Sequence, residues 1–249
     1  MRILLFLLTI NFVFGQNLSK MTVYLLPGQG SDKRIFEQIK LDSTYILKHI
    51  VYPIPAKKTT LQAYAKQIST QMDTTEKFIL IGVSLGGMIA TELADLLKPQ
   101  RIIVISSAKC RAELPKRYKF QRTLPLNKII PARVIYWGAR CLQPLVEPDR
   151  NKQKSTFKSM LVAKKPIYLK RTADMIINWN RRVYCKNIIH IHGNNDHTLP
   201  LKNIKANHVI EGGSHMMTLT RGEEINRLIL GILQKELQRL QFLSYFCTS

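Results

Sequence analysis

The sequence predicts an α/β fold built on a mostly parallel six-stranded sheet flanked by helices. Three observations carry that prediction. Short apolar runs alternate with segments of helical periodicity, the pattern of a parallel sheet covered on both faces. The turns that carry glycine and candidate polar groups fall directly after apolar runs, where parallel sheets keep their sites. About 80 residues separate the fourth run from the fifth, too many for a bare loop. With 249 residues and 45% hydrophobic content the chain can bury one sizeable core and is globular rather than disordered. It contains no internal repeat and no low-complexity tract.

The six strand candidates are 22–26, 44–51, 78–82, 101–106, 187–192 and 207–210, and the helix candidates are about 32–40, 60–72, 86–98 and 222–243. Thr59 or Thr60 can cap the second helix, in which Leu61, Ala65, Ile68 and Met72 keep helical spacing. The first strand, Thr22-Val23-Tyr24-Leu25-Leu26, runs into Pro27-Gly28-Gln29-Gly30. The third, through Phe78-Ile79-Leu80-Ile81, ends in Gly82-Val83-Ser84-Leu85-Gly86-Gly87 and leads into a helix. A Gly-x-Ser-x-Gly turn between strand and helix presents its serine on a strained elbow, and Gly82 and Gly86 keep side chains out of the abutting backbone. The competing reading of Ser84 is a serine that merely caps the helix.

Two later turns bear on that choice. The fifth strand, Asn187-Ile188-Ile189-His190-Ile191-His192, leads into Gly193-Asn194-Asn195-Asp196, and the sixth leads into Gly212-Gly213-Ser214-His215-Met216. The chain order Ser84, Asp196, His215 suits a nucleophile, an orienting acid and a general base. His197 is the rival base; His190 and His192 read as structural, and His49 and His208 have no site-like setting. Acyl transfer also needs backbone N–H donors for a developing oxyanion. In a fold with such a serine elbow they come from the residue after the nucleophile and from an early strand-to-helix loop, which here match Leu85 and Gln29. The competing reading of Pro27 to Gly30 is an ordinary Pro-Gly turn.

Those four segments together resemble the α/β-hydrolases, in their small esterase and thioesterase branch, over residues 22 to about 240. The resemblance implies the family's sheet without its two N-terminal strands, and a helical cap at about 107–185 inside a single domain, 16–249. Met160, Leu161, Ile167, Leu169, Met175, Ile176 and Trp179 are candidates to line or pack that cap. It also implies a serine hydrolase of carboxylic esters or thioesters working through an acyl-enzyme on Ser84, with neither cofactor nor metal. Many members carry His-Gly at the first oxyanion loop, where this chain has Pro27-Gly28. A backbone donor at Gln29 survives that change. An acyltransferase using the same triad, or a non-catalytic binding member of the fold, are the alternatives.

Residues 1–15 have the layout of a secretory signal peptide: a basic Met1-Arg2, the apolar 3–14, and cleavage between Gly15 and Gln16. The expected location is therefore periplasmic or secreted, or cytoplasmic if translation starts at Met21. The formal net charge is +22, and fourteen of that excess falls between Lys109 and Arg171. An anionic small-molecule ester or thioester, an anionic membrane surface, and a solvated surface without a partner are competing readings of that field. Nucleic acid is rejected, since no recognition motif or aromatic–basic interleaving accompanies the charge. Cys110, Cys141, Cys185 and Cys247 lack metal-ligand spacing, and their disulfide pairing is open among three complete arrangements.

Overall fold

A computed structural model of the chain describes residues 20–247. The expected signal segment, 1–15, lies outside them. The strands are β1 (Met21–Leu26), β2 (Tyr45–His49), β3 (Phe78–Val83), β4 (Arg101–Ile105), β5 (Ile188–Gly193) and β6 (His208–Ile210). They form one sheet in the order β2-β1-β3-β4-β5-β6, and every neighbouring pair is parallel.

β3 is buried throughout and shows why the sheet needs cover on both faces. Its side chains alternate between two cores, Phe78 and Leu80 on one face, Ile79, Ile81 and Val83 on the other. Helices α1 (Leu61–Ser69) and α2 (Leu85–Leu97) close the first face with Tyr64, Ile68, Met88 and Ile89. Thr60 does cap α1, its side chain accepting the Ala63 N–H at 3.1 Å. Each fully buried aliphatic side chain of this kind contributes about 1.5–3 kcal/mol.

Between β4 and β5 the chain forms α3 (Lys116–Thr123), α4 (Leu126–Ile129), α5 (Ala132–Val146), α6 (Lys154–Val162) and α7 (Pro166–Asn178). The two ends of this insertion are tied together and to the sheet layer. Arg111 N–H donates to Arg181 O at 2.8 Å, and the Arg111 guanidinium reaches Trp179 O at 3.0 Å. Trp179 Nε1–H donates to Glu92 on α2 at 2.7 Å, and Arg181 pairs with Asp95 at 2.8 Å. Thus α3, α4 and α5 pack on α7, while the far end of α7 is strapped to the helix that starts at Ser84.

The second face is covered by α8 (Met217–Thr220) and α9 (Gly222–Cys247), through Met217, Ile225 and Ile229. The helix expected at 32–40 is only a 3-10 turn, Lys33–Phe36. Ile39 still bonds back to Phe36, but the next backbone N–H, of Lys40, goes to Asn226 Oδ1 on α9 at 2.9 Å. The helical ladder stops where the neighbouring element takes its donor. No described helix is long and apolar enough to cross a membrane, and Cys110, Cys141 and Cys185 are free thiols.

Candidate active site

The turn after β3 holds Ser84 at φ 52°, ψ −118°, outside the comfortable range of an L-residue. Two things impose that conformation. A Cβ on Gly86 would fall on the carbonyls of Leu26 and Pro27, so only glycine lets α2 start this close to β1. Ser84 N–H donates to Ile105 O at 3.0 Å, and Ser107 Oγ–H donates to Ser84 O at 2.7 Å, which grips the turn from the β4 side. Although Ser84 occupies the cap position of α2, its side chain makes no capping hydrogen bond. Its Oγ instead lies 3.0 Å from His215 Nε2.

His215 and Asp196 come from loops that are stitched to each other. Gly193, at the end of β5, approaches Gly213 so closely that a Cβ would strike the Gly213 carbonyl. Asn195 N–H donates to Gly213 O at 2.9 Å, and Gly212 N–H to Asn194 Oδ1 at 2.7 Å. Gly212 takes φ +64°, the left-handed region glycine tolerates. Across this seam His215 Nδ1 lies 2.7 Å from Asp196 Oδ2. Asp196 Oδ1 accepts the N–H groups of Thr198 and Leu199 at 2.8 and 2.7 Å, so the carboxylate is oriented by backbone as well as by imidazole. His197 turns away, its Nε2 3.0 Å from Asn195 Oδ1 on the exposed side.

Burial raises the Asp196 carboxyl, but His215 together with the other donors outweighs it, and the pKa stands below the usual carboxylate value. Burial likewise lowers His215, and the Asp196 charge beside it more than offsets this, leaving the imidazole above its ordinary value. A second carboxylate, Glu147, follows α5 and is 2% exposed. It accepts the Met216 N–H at 3.1 Å, next to His215, and burial pushes its carboxyl up. No spacing in the sequence marks Glu147, because it arrives from the insertion.

Behind Asp196 runs a buried chain of donors whose direction can be deduced. Lys109, 2% exposed, places Nζ 3.0 Å from Glu113 Oε1, against Lys205 O, and 2.9 Å from His190 Nδ1. An ammonium has three donors and no acceptor, so all three are used and His190 Nδ1 must accept. His190 therefore carries its proton on Nε2 and donates to His192 Nδ1 at 3.1 Å. His192 in turn carries its proton on Nε2, facing Leu199 O at 2.7 Å and Asp196 Oδ2 at 3.5 Å. Burial holds both imidazoles neutral by lowering their pKa values, that of His190 most strongly. The two strand histidines thus form a hydrogen-bonded line from Lys109 to the Leu199 carbonyl, beside Asp196, whose Oδ1 accepts the Leu199 N–H.

Gln29 lies on the loop after β1, and its side chain is fastened to α7: Nε2 donates to Leu169 O at 3.0 Å and Thr172 Oγ1 at 2.8 Å. No protein acceptor takes the backbone N–H of Gln29 or of Leu85 among the described residues. Of the insertion residues singled out from sequence, Met160, Leu161, Leu169, Met175, Ile176 and Trp179 are buried in packing clusters. Ile167, Met175 and Trp179 border a cavity of about 1020 Å³ between α7 and the start of α1, which also takes in Lys57, Arg171 and Asp174. Ser84, Asp196 and His215 do not line it. No cluster of metal-ligating side chains occurs among the described residues.

A parallel α/β sheet with a serine, a histidine and an aspartate aligned at its carboxyl edge defines a recognisable class of architecture. The fold is that of the α/β-hydrolases. A carboxylesterase of the thaumarchaeon Nitrososphaera gargenis superposes with a TM-score of 0.71 at 16% identity, covering 90% of this chain and 93% of that one. An esterase of Thermogutta terrifontis gives 0.69 at 16% identity, with 87% and 90% covered. The enol-lactonase of Burkholderia xenovorans LB400 gives 0.69 at 14%, with 86% and 91% covered. No family model matches the chain, and no curated protein matches it.

Proposed function

We propose that the chain is a serine hydrolase that cleaves carboxylic esters or thioesters through an acyl-enzyme on Ser84. The observation that carries this reading is the unbroken line from Ser84 Oγ to His215 Nε2 at 3.0 Å and from His215 Nδ1 to Asp196 Oδ2 at 2.7 Å. In this reading Ser84 Oγ bonds to the acyl carbon while His215 Nε2 takes its proton, and the carbonyl electron pair moves onto oxygen. The N–H groups of Gln29 and Leu85 receive that oxyanion. The bond to the leaving oxygen or sulfur then breaks, and the leaving group takes the proton from His215. Water repeats the sequence with His215 as base and frees the acid. Asp196 holds the imidazole in the productive tautomer and stabilises the imidazolium. Esterases and a lactonase among the structural neighbours support ester chemistry at such a site.

The charge of the insertion supports an anionic substrate. Under that reading the kcat/KM of a dicarboxylic half-ester falls with added salt, while that of a neutral ester does not. The N-terminal segment supports export, and the N-terminus of protein recovered outside the cytoplasm tests it. For the chemistry itself, a fluorophosphonate probe labels an activated serine. Labelling lost in Ser84→Ala, with ester turnover down by orders of magnitude and an unchanged circular dichroism spectrum, is the expected result. Turnover equal to that of the parent protein in Ser84→Ala would refute the mechanism.

A further inference from the structure

Helices α3, α4 and α5, each of which packs on α7, combine two properties that seldom coincide without a partner. The first is exposed apolar bulk. Phe120 is 62% exposed, Ile129 81%, Val134 56%, Trp137 58% and Leu142 55%. On α5 the exposed positions Val134, Trp137, Cys141 and Leu142 follow helical spacing, so they share one exposed face of the helix. Isolated apolar residues on a surface are ordinary, whereas a stripe along a helix marks a contact. The second property is charge of one sign. From Leu114 to Val146 the chain has seven Lys and Arg and no Asp or Glu. Lys116, Lys119, Arg122 and Arg133 are all exposed.

We propose that this face docks on an anionic lipid bilayer, with the basic side chains at the headgroups and Phe120, Ile129, Val134, Trp137 and Leu142 entering the boundary with the acyl chains. A bilayer surface is the partner that uses both properties at once. A second copy of the chain does not fit, because a two-fold interface sets the same patch against itself and would bring these cations together with no acidic residue between them. A nucleic acid would engage the cations but has no use for a stripe of valine, leucine and isoleucine. The docking surface is separate from the chemistry assigned to Ser84. It would set the insertion between the bilayer and the sheet, with α7, which holds Gln29, directly behind it.

The test uses the purified full chain and sedimentable vesicles of phosphatidylcholine alone or with about a third phosphatidylglycerol. The chain has two tryptophans, and Trp179 is buried at 2% exposure, so a change in tryptophan emission on docking reports Trp137. The expected result is sedimentation with the anionic vesicles only, a blue shift of emission, and quenching by lipids brominated on the acyl chain. Trp137→Ser/Val134→Ser and, separately, Arg122→Glu/Arg133→Glu should each weaken binding at least about tenfold. These are exposed positions, so circular dichroism and fluorophosphonate labelling should be unchanged, which separates this result from the fate of the hydrolase reading. Equal binding to neutral vesicles overturns the proposal, as does the absence of binding. Charge-dependent binding without a tryptophan shift reduces it to adsorption of a cationic surface on any polyanion and overturns it too. Concentration-dependent dimers abolished by Trp137→Ser would assign the face to a second copy instead.

Discussion

Asp196 is the residue on which most of the site's geometry converges, since it takes two backbone N–H groups on one oxygen and His215 on the other. Asp196→Asn keeps the shape but offers the wrong partner to the imidazole, and kcat should fall by on the order of 10⁴. The pH profile of the unsubstituted protein follows from the same pair. In the proposed mechanism His215 must be neutral to accept the serine proton, and its pKa is raised above 6.5. The acid limb of kcat/KM should therefore lie above pH 6.5, as read from initial rates across the range. Behind Asp196 the tautomers are fixed by Lys109. Long-range proton–nitrogen NMR should find His190 and His192 both protonated on Nε2 only, and a proton on Nδ1 of either would contradict the donor order deduced from the structure.

At the scale of single elements, α7 does more than cover the sheet, because Thr172 and the Leu169 carbonyl hold the Gln29 side chain. Thr172→Val removes one acceptor and should cost about 1 kcal/mol of stability by chemical denaturation. In the proposed mechanism it should also lower kcat more than it raises KM, since the loop it loosens carries an oxyanion donor. The strands were legible because each is an apolar run closed by a glycine- or polar-rich turn, and β3 and β5 show this most plainly. Ser84, Asp196 and His215 could be picked out because each follows its own strand. The 32–40 segment was not legible, since its helix ends through a bond to Asn226, 186 residues away in sequence. Lys109 and Glu147 were likewise invisible. They reach the site from the insertion and its border, and no local pattern announces a contact made by tertiary packing.

For the molecule as a whole, buried histidines contribute to acid stability in opposite senses. His190 and His192 have depressed pKa values and stay neutral when folded. Unfolded, each binds a proton near pH 6.5, so below that the unfolded state holds more protons and stability falls. His215 has a raised pKa and stabilises the fold below pH 6.5, an effect lost as pH rises through its folded value. Asp196, with a depressed pKa, adds stability above its unfolded value of about 3.9 that is lost only as pH falls further. Below about pH 6.5 His215 is protonated in both states, so the histidine contribution to the change down to about pH 5 comes from the first pair. Glu147 opposes it, since its raised pKa favours the folded state as pH falls. The melting temperature should fall over that interval, and His190→Gln/His192→Gln should flatten the fall.

The order of strands in the sheet carries a consequence for how the chain comes together in time. β1, β2, β3 and β4 follow closely in sequence and pair among themselves, whereas β5 can join β4 only after the whole insertion has been looped out. Closing that loop is the entropically slow step, and contacts distant in sequence form late. Ser84 belongs to the early half, while Asp196 and His215 arrive with the late one. A refolding chain should thus regain helical signal before it regains any reaction with a serine-directed probe, and the lag between the two would time the docking of β5 and β6.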